Sequence, residues 1–135
     1  MKRVLICGDR EWWDERPIRE LLLSLSRDSL IITGGCRGAD RIANDIAESL
    51  GFPTKVEDAK WDEYAIKGIR YAAGPIRNRK MLEDYKPDIV YAFHDDIERS
   101  RGTKDMITIA RNKGLPVVVI TTYPQPEGED YMSMF

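Results

Sequence analysis

The sequence predicts an α/β fold: a single Rossmann-like, doubly wound parallel sheet of about five strands in the order 3-2-1-4-5. Three observations predict it. Short apolar runs alternate with helical patterns along the chain. The runs carry little polar interruption, as strands covered on both faces require. Glycines recur where a run ends and a helix pattern begins. Right-handed crossovers then narrow the strand order to 3-2-1-4-5, with the chain reversing direction between strands 1 and 4. Ligands of such sheets bind at that reversal, above the carboxyl ends of the strands.

Each element has its own signal. "RVLICGD" (Arg3–Asp9) reads as a buried strand ending in glycine. Asp14 then caps a helix with Pro17 in its first turn, and Ile18, Leu21, Leu22 and Leu25 form one apolar stripe. "SLIIT" (Ser29–Thr33) is the second strand. Residues 40–50 form a second helix, with Ile42, Ala43, Ile46, Ala47 and Leu50 on one face and Gly51 as its stop. "PTKVEDA" (Pro53–Ala59) is a more polar strand, expected at a sheet edge. Residues 60–74 read as irregular, with a short helix around Trp61–Ile66. "GPIRNRKMLEDY" restarts a helix with Pro75 in its first turn and Ile76, Met81, Leu82 and Tyr85 facing inward. "DIVYAFH" (Asp88–His94) is the fourth strand, residues 102–114 the last helix, and "LPVVVITT" (Leu115–Thr122) the fifth strand. The chain divides into one domain at 1–123 and a tail at 124–135 without periodicity.

Composition excludes several classes. The chain has 135 residues, 42% hydrophobic and 33% charged, with a net charge of -2. The pI near 5.5 gives no global field to draw nucleic acid, so nucleic acid is not the expected partner. Two cysteines, Cys7 and Cys36, make no disulfide framework and suit a reducing, cytoplasmic setting. No run approaches the ~20 apolar residues of a membrane span, and no signal peptide is recognisable.

The candidate site follows from the strand ends. Gly8 ends strand 1, with Asp9 and Arg10 behind it. Gly34, Gly35 and Gly38 end strand 2 and open its helix, interleaved with Arg37 and Asp40. Gly102, Thr103 and Asp105 open the last helix. Glycine admits positive φ and close approach, and a helix N-terminus offers free N–H groups and a partial positive charge. "TGGCRGAD" therefore reads as a phosphate or other anion cradle, with tight turns as the bland alternative. Arg77 and Asn78 lie in a first helical turn, where an arginine opposes the helix dipole unless an anion is near. Trp61 and Tyr64 are stacking candidates or packing residues. Of the adjacent Trp12 and Trp13, at most one is core. His94 is an acid–base candidate or a structural histidine. Cys36 lacks an evident histidine partner. Asp95 and Asp96 can reach a divalent metal through phosphates, although adjacent loop acids are usually solvated. No resident metal or cofactor is expected. The apolar surface at Trp12 or Trp13, in the 60–74 stretch and at Tyr131 and Phe135 leads to the expectation of a homo-oligomer, a dimer or larger.

These motifs also match a family. "GDR" after strand 1, "TGGCRGAD" after strand 2, the Trp61/Tyr64 pair, "AGPIRNRKM" (Ala73–Met81) and "GTKDM" (Gly102–Met106) occur in that order. Together they resemble the SLOG superfamily, specifically its YspA-like branch of bacteria and phages, which is related to LOG phosphoribohydrolases and DNA-processing protein A. The resemblance spans about Val4 to Val119. It implies a Rossmann-like module that binds a nucleotide, or an ADP-ribose-like or phosphoribosyl ligand, to sense or sequester it, in a phage or defence setting. A LOG-like phosphoribohydrolase and a nucleic-acid-associated protein are the alternatives. Two departures matter. A glycine-rich stretch usual before the branch's "GT" is here "HDDIERSRGT", leaving Arg99 and Arg101 to supply charge. The glutamate of the LOG "GGxGTxxE" pattern falls on Met106, which leaves Asp9 and Asp105 as the weak catalytic candidates.

Overall fold

The computed structural model describes residues 2–122. Met1 and residues 123–135 lie outside the described residues, and with them the expected tail at 124–135 and its Tyr131 and Phe135. Strands β1 (Arg3–Gly8), β2 (Leu30–Thr33), β3 (Thr54–Val56), β4 (Ile89–Phe93) and β5 (Val117–Ile120) form one sheet. All neighbours are parallel, in the order β3-β2-β1-β4-β5. The expected fold class and strand order are those observed. The helices are α1 (Glu15–Ser24), α2 (Ala39–Ser49), α3 (Trp61–Ile66), α4 (Ala73–Tyr85) and α5 (Gly102–Asn112), with short 3-10 turns at Arg70–Ala72 and Ile97–Arg99.

The alternation of β1 builds two cores. Successive side chains of a strand point to opposite faces. Val4 and Ile6 join Ile18 and Leu22 of α1 and Ala43 and Ile46 of α2. Leu5 and Cys7 join Met81 and Leu82 of α4 and Met106 and Ile107 of α5. The central strand is thus buried on both faces, and every other element is placed relative to it.

Capping fixes the first βα unit. Asp14 sits at the N-cap of α1 in extended conformation, and its carboxylate accepts from the Arg16 backbone N–H and from the Arg16 guanidinium. Trp12 is buried, its ring meets Phe93 edge-on, and its Nε1–H donates to the Asp14 carbonyl at 2.5 Å. Trp13 is 70% exposed. Both tryptophans precede the helix, and the division into one buried and one exposed ring is as the sequence suggests.

Two expectations shift. The third strand is confined to Thr54–Val56 at the sheet edge, shorter than Pro53–Ala59. In α4 Met81 and Leu82 are buried as expected, but Ile76 is 40% exposed while Arg77 and Asn78 are buried. The helix starts at Ala73 and turns its first polar residues inward, because hydrogen-bond partners wait for them there. No helix among the described residues is long and apolar enough to cross a membrane.

Candidate functional site

At the carboxyl edge of the sheet lies a cavity of about 710 Å³. It opens where β1 and β4 adjoin, the point at which the chain changes direction across the sheet. The loop after β1 brings Gly8, Asp9 and Arg10 to its wall. The loop after β2 brings Arg37 and Asp40, and α4 brings Arg77 and Asn78. The segment leading into α5 brings Gly102 and Thr103. Gly34 and Gly35 line a smaller neighbouring recess of about 410 Å³ that shares Arg10, Cys36, Arg37 and Trp61 with the first. Neither Gly38 nor Asp105 lines either space.

The interior ties explain this arrangement. Arg77 is 8% exposed. Its Nη1 donates to the Gly34 carbonyl at 2.5 Å, its Nε donates to Asn78 Oδ1 at 3.0 Å, and both terminal nitrogens reach Cys36 Sγ at 3.8 Å. Asn78 Nδ2 donates to the Gly102 carbonyl at 3.2 Å and to Asp105 Oδ2 at 3.0 Å. The pair therefore ties α4 to the β2 loop on one side and to α5 on the other. Asp40 Oδ2 accepts from the Gly34 and Cys36 N–H groups. Burial pushes its carboxyl up to about 6, against the opposing pull of the Arg77 charge and those two N–H groups.

The glycines after β2 serve the protein's own contacts. A Cβ on Gly34 would lie 2.5 Å from Arg77 Nη1. Gly38, at φ 77°, abuts the carbonyl oxygens of Asp9 and Arg10. The first N–H of α2, on Ala39, donates to the Asp9 carbonyl at 3.1 Å. The donors that the cradle reading assigned to a ligand at α2 are thus partly used by the β1 loop, which lies directly against them. Beside the first turn of α2, which puts the Asp40 carboxyl on the wall, the helix starts that face the cavity are those of α5, through Arg101, Gly102 and Thr103, and α4, through Gly74 and Pro75.

Cationic side chains dominate the wall: Arg10, Arg37, Arg70, Arg77, Arg99 and Arg101 all line it. Arg70 was missed in the sequence. Its only signal is the arginine density of "IRYAAGPIRNR", and the intervening 3-10 turn hides any helical spacing between Arg70 and Arg77. Three acids share the wall, Asp9, Glu11 and Asp40. Glu11 is ion-paired with Arg37. His94 is buried; its Nδ1 accepts from the Asp96 N–H at 2.9 Å, so in the neutral ring the proton sits on Nε2, 3.9 Å from Asp9 Oδ2. Asp95 instead accepts from the Thr122 backbone and hydroxyl, and Asp96 pairs with Arg99 at 3.2 Å. Among the described residues no group of three or more histidine, cysteine or acidic side chains could hold a metal ion. Tyr64 lies under the Lys67 ammonium rather than at the cavity.

The model of the YspA, cpYpsA-related SLOG family matches residues 2–64, from β1 into α3. Over 127 residues the chain is 32% identical to the Gene 61 protein of Mycobacterium phage D29, an alignment covering 87% of this chain and 95% of that protein. The chain belongs to the YspA-related SLOG family. In this SLOG protein the position that corresponds to the LOG glutamate is Met106, 1% exposed, its side chain packed in the α4/α5 core beneath the cavity. Asp105, one residue earlier, is engaged by Asn78.

Proposed function

We propose that the cavity binds a nucleotide or nucleotide-derived anion, ADP-ribose-like or phosphoribosyl, as a sensing or sequestering module. The observation that carries this reading is the gathering of six arginines around one concavity in a chain whose net charge is -2. Guanidinium forks and the N-termini of α4 and α5 suit phosphate oxygens. The volume of about 710 Å³ lies within the range of ordinary small-molecule sites. Membership in the SLOG family supports a nucleotide-related ligand. A phage relative supports a phage or bacterial setting.

Cleavage of an N-glycosidic bond is the second reading, and one observation favours it: Asp9 stands 3.9 Å from His94 on the cavity wall. A carboxylate is what glycosidic hydrolysis requires. Met106 and the engaged Asp105 weigh against a LOG-type mechanism. The acidic pI near 5.5 weighs against a nucleic-acid groove. Mass spectrometry of the small molecule carried through purification, followed by calorimetric titration with a nucleotide panel, tests the first reading. Binding with recovery of intact ligand supports it; release of a free base transfers support to the second; no binding by any member of the panel rejects both.

A further inference from the structure

Trp61 does something other than wait for a base. The guanidinium carbon of Arg10 lies 5.2 Å from the centre of its ring, and that of Arg70 lies 5.0 Å from it. The two arginines come from separate segments, the loop after β1 and the 3-10 turn before α4. The far edge of the same ring leans on the start of α4, where a Cβ on Gly74 would lie 3.2 Å from Trp61 Cη2. One indole therefore spans three segments of the cavity wall and holds two cations over it.

The charges around the cavity divide unevenly. Arg37 is paired with Glu11, Arg99 with Asp96, and Arg77 is buried beside Asp40. Among the described residues Arg10, Arg70 and Arg101 have no carboxylate within ion-pair distance; of the wall acids, Glu11 is paired with Arg37, Asp40 is held by the Gly34 and Cys36 N–H groups beside Arg77, and Asp9 has no arginine or lysine at that distance. The balance is two positive charges, carried by cations on three different segments. A compact monophosphate would engage one or two of them. Charge spread along a chain of phosphates engages all three.

We infer that Arg10, Arg70 and Arg101 form a clamp for a diphosphate, and that Trp61 is the positioning residue that presents Arg10 and Arg70 to it. This rests on the nucleotide reading above and narrows it to ligands with a pyrophosphate linkage. The indole, already in contact with two guanidiniums, is not the stacking platform for the base.

The test is calorimetry with inorganic pyrophosphate and inorganic orthophosphate at one ionic strength, on the full chain. Wild-type protein binds pyrophosphate at least tenfold more tightly than orthophosphate. Arg70→Gln abolishes that preference. Trp61→Leu lowers pyrophosphate affinity about tenfold, while Trp61→Phe, which keeps an aromatic face, restores most of it. Thermal melts of all three variants accompany the titrations, and the exposed Arg70 supplies a variant whose folding is not at risk. Equal affinity for the two anions in the wild type overturns the clamp. So does unchanged pyrophosphate binding by folded Trp61→Leu. A protein that binds a nucleotide monophosphate but shows no preference between the two anions loses the clamp and keeps the nucleotide reading; a protein that prefers pyrophosphate but binds no nucleotide loses the nucleotide reading instead.

Discussion

At Gly38 the backbone runs at φ 77°, and a Cβ would meet the carbonyl oxygens of Asp9 and Arg10. Both the strain and the clash act on folding before they act on any ligand. Gly38→Val is expected to cost about 3 kcal/mol or more and to lose binding with it, because the loop carrying Asp9 and Arg10 is displaced. Arg37→Ala is the contrast. Arg37 and its partner Glu11 are both more than half exposed, so the change costs stability no more than about 0.5 kcal/mol. It weakens ligand binding by about 1 kcal/mol, the low end for a charge-assisted contact already shared with a carboxylate. Two melts and two titrations read the comparison. Asp40 adds a pH signature. Its folded value near 6 lies above the ordinary value of 3.8, so between the two the native state keeps a proton that the unfolded chain has lost. This group's contribution therefore falls as pH rises from about 4 to 6 and stays level above, by on the order of 3 kcal/mol. Asp40→Asn is expected to flatten that part of the curve of urea midpoint against pH. The glycines and the arginine after β2 were visible in the sequence. The contacts that require Gly34 and Gly38 were not, since the groups that crowd these glycines come from Arg77 and from the β1 loop, far along the chain.

Among the elements, the helix starts carry most of the site. Asp14 is buried and caps α1 through the Arg16 N–H, while its own carbonyl receives the Trp12 indole. The Arg16 side chain, bonded to the carboxyl, holds it below the usual carboxylate range. Asp14→Ala is expected to cost about 1–2 kcal/mol, measured as a fall in the denaturation midpoint. The strands and α1, α2 and α5 were legible because each has a pattern of its own: β-branched runs, or an apolar stripe at helical spacing. The first turn of α4 was not. Periodicity assigns Ile76 to the core, and hydrogen bonding overrides it: Arg77 and Asn78 find the Gly34 and Gly102 carbonyls and Asp105, whereas Ile76 has no comparable claim on the interior. The short helix at Trp61–Ile66 was expected and lies where expected, although a six-residue element shows less than two turns of any pattern and its surroundings read as irregular.

For the whole molecule, unsatisfied apolar surface is the feature with a consequence for assembly. Trp13 is 70% exposed, Tyr71 75% and Ile66 89%. Large apolar groups in such number are characteristic of surfaces that are covered in use. A homo-oligomer is the expected state, and light scattering at micromolar concentration checks it: a monomer mass rejects the expectation. The sheet order has another outcome. Val4 pairs with Ile31 on one side and with Ile89 on the other. During synthesis β2 leaves the ribosome soon after β1, but β4 follows only when two-thirds of the chain has been made. Until then the apolar strand at the centre of the finished sheet is an edge strand, open to pairing with a neighbouring nascent chain. Of the five strands, β1 thus waits longest for its second neighbour, and until β4 has been made nothing in the sheet covers that edge.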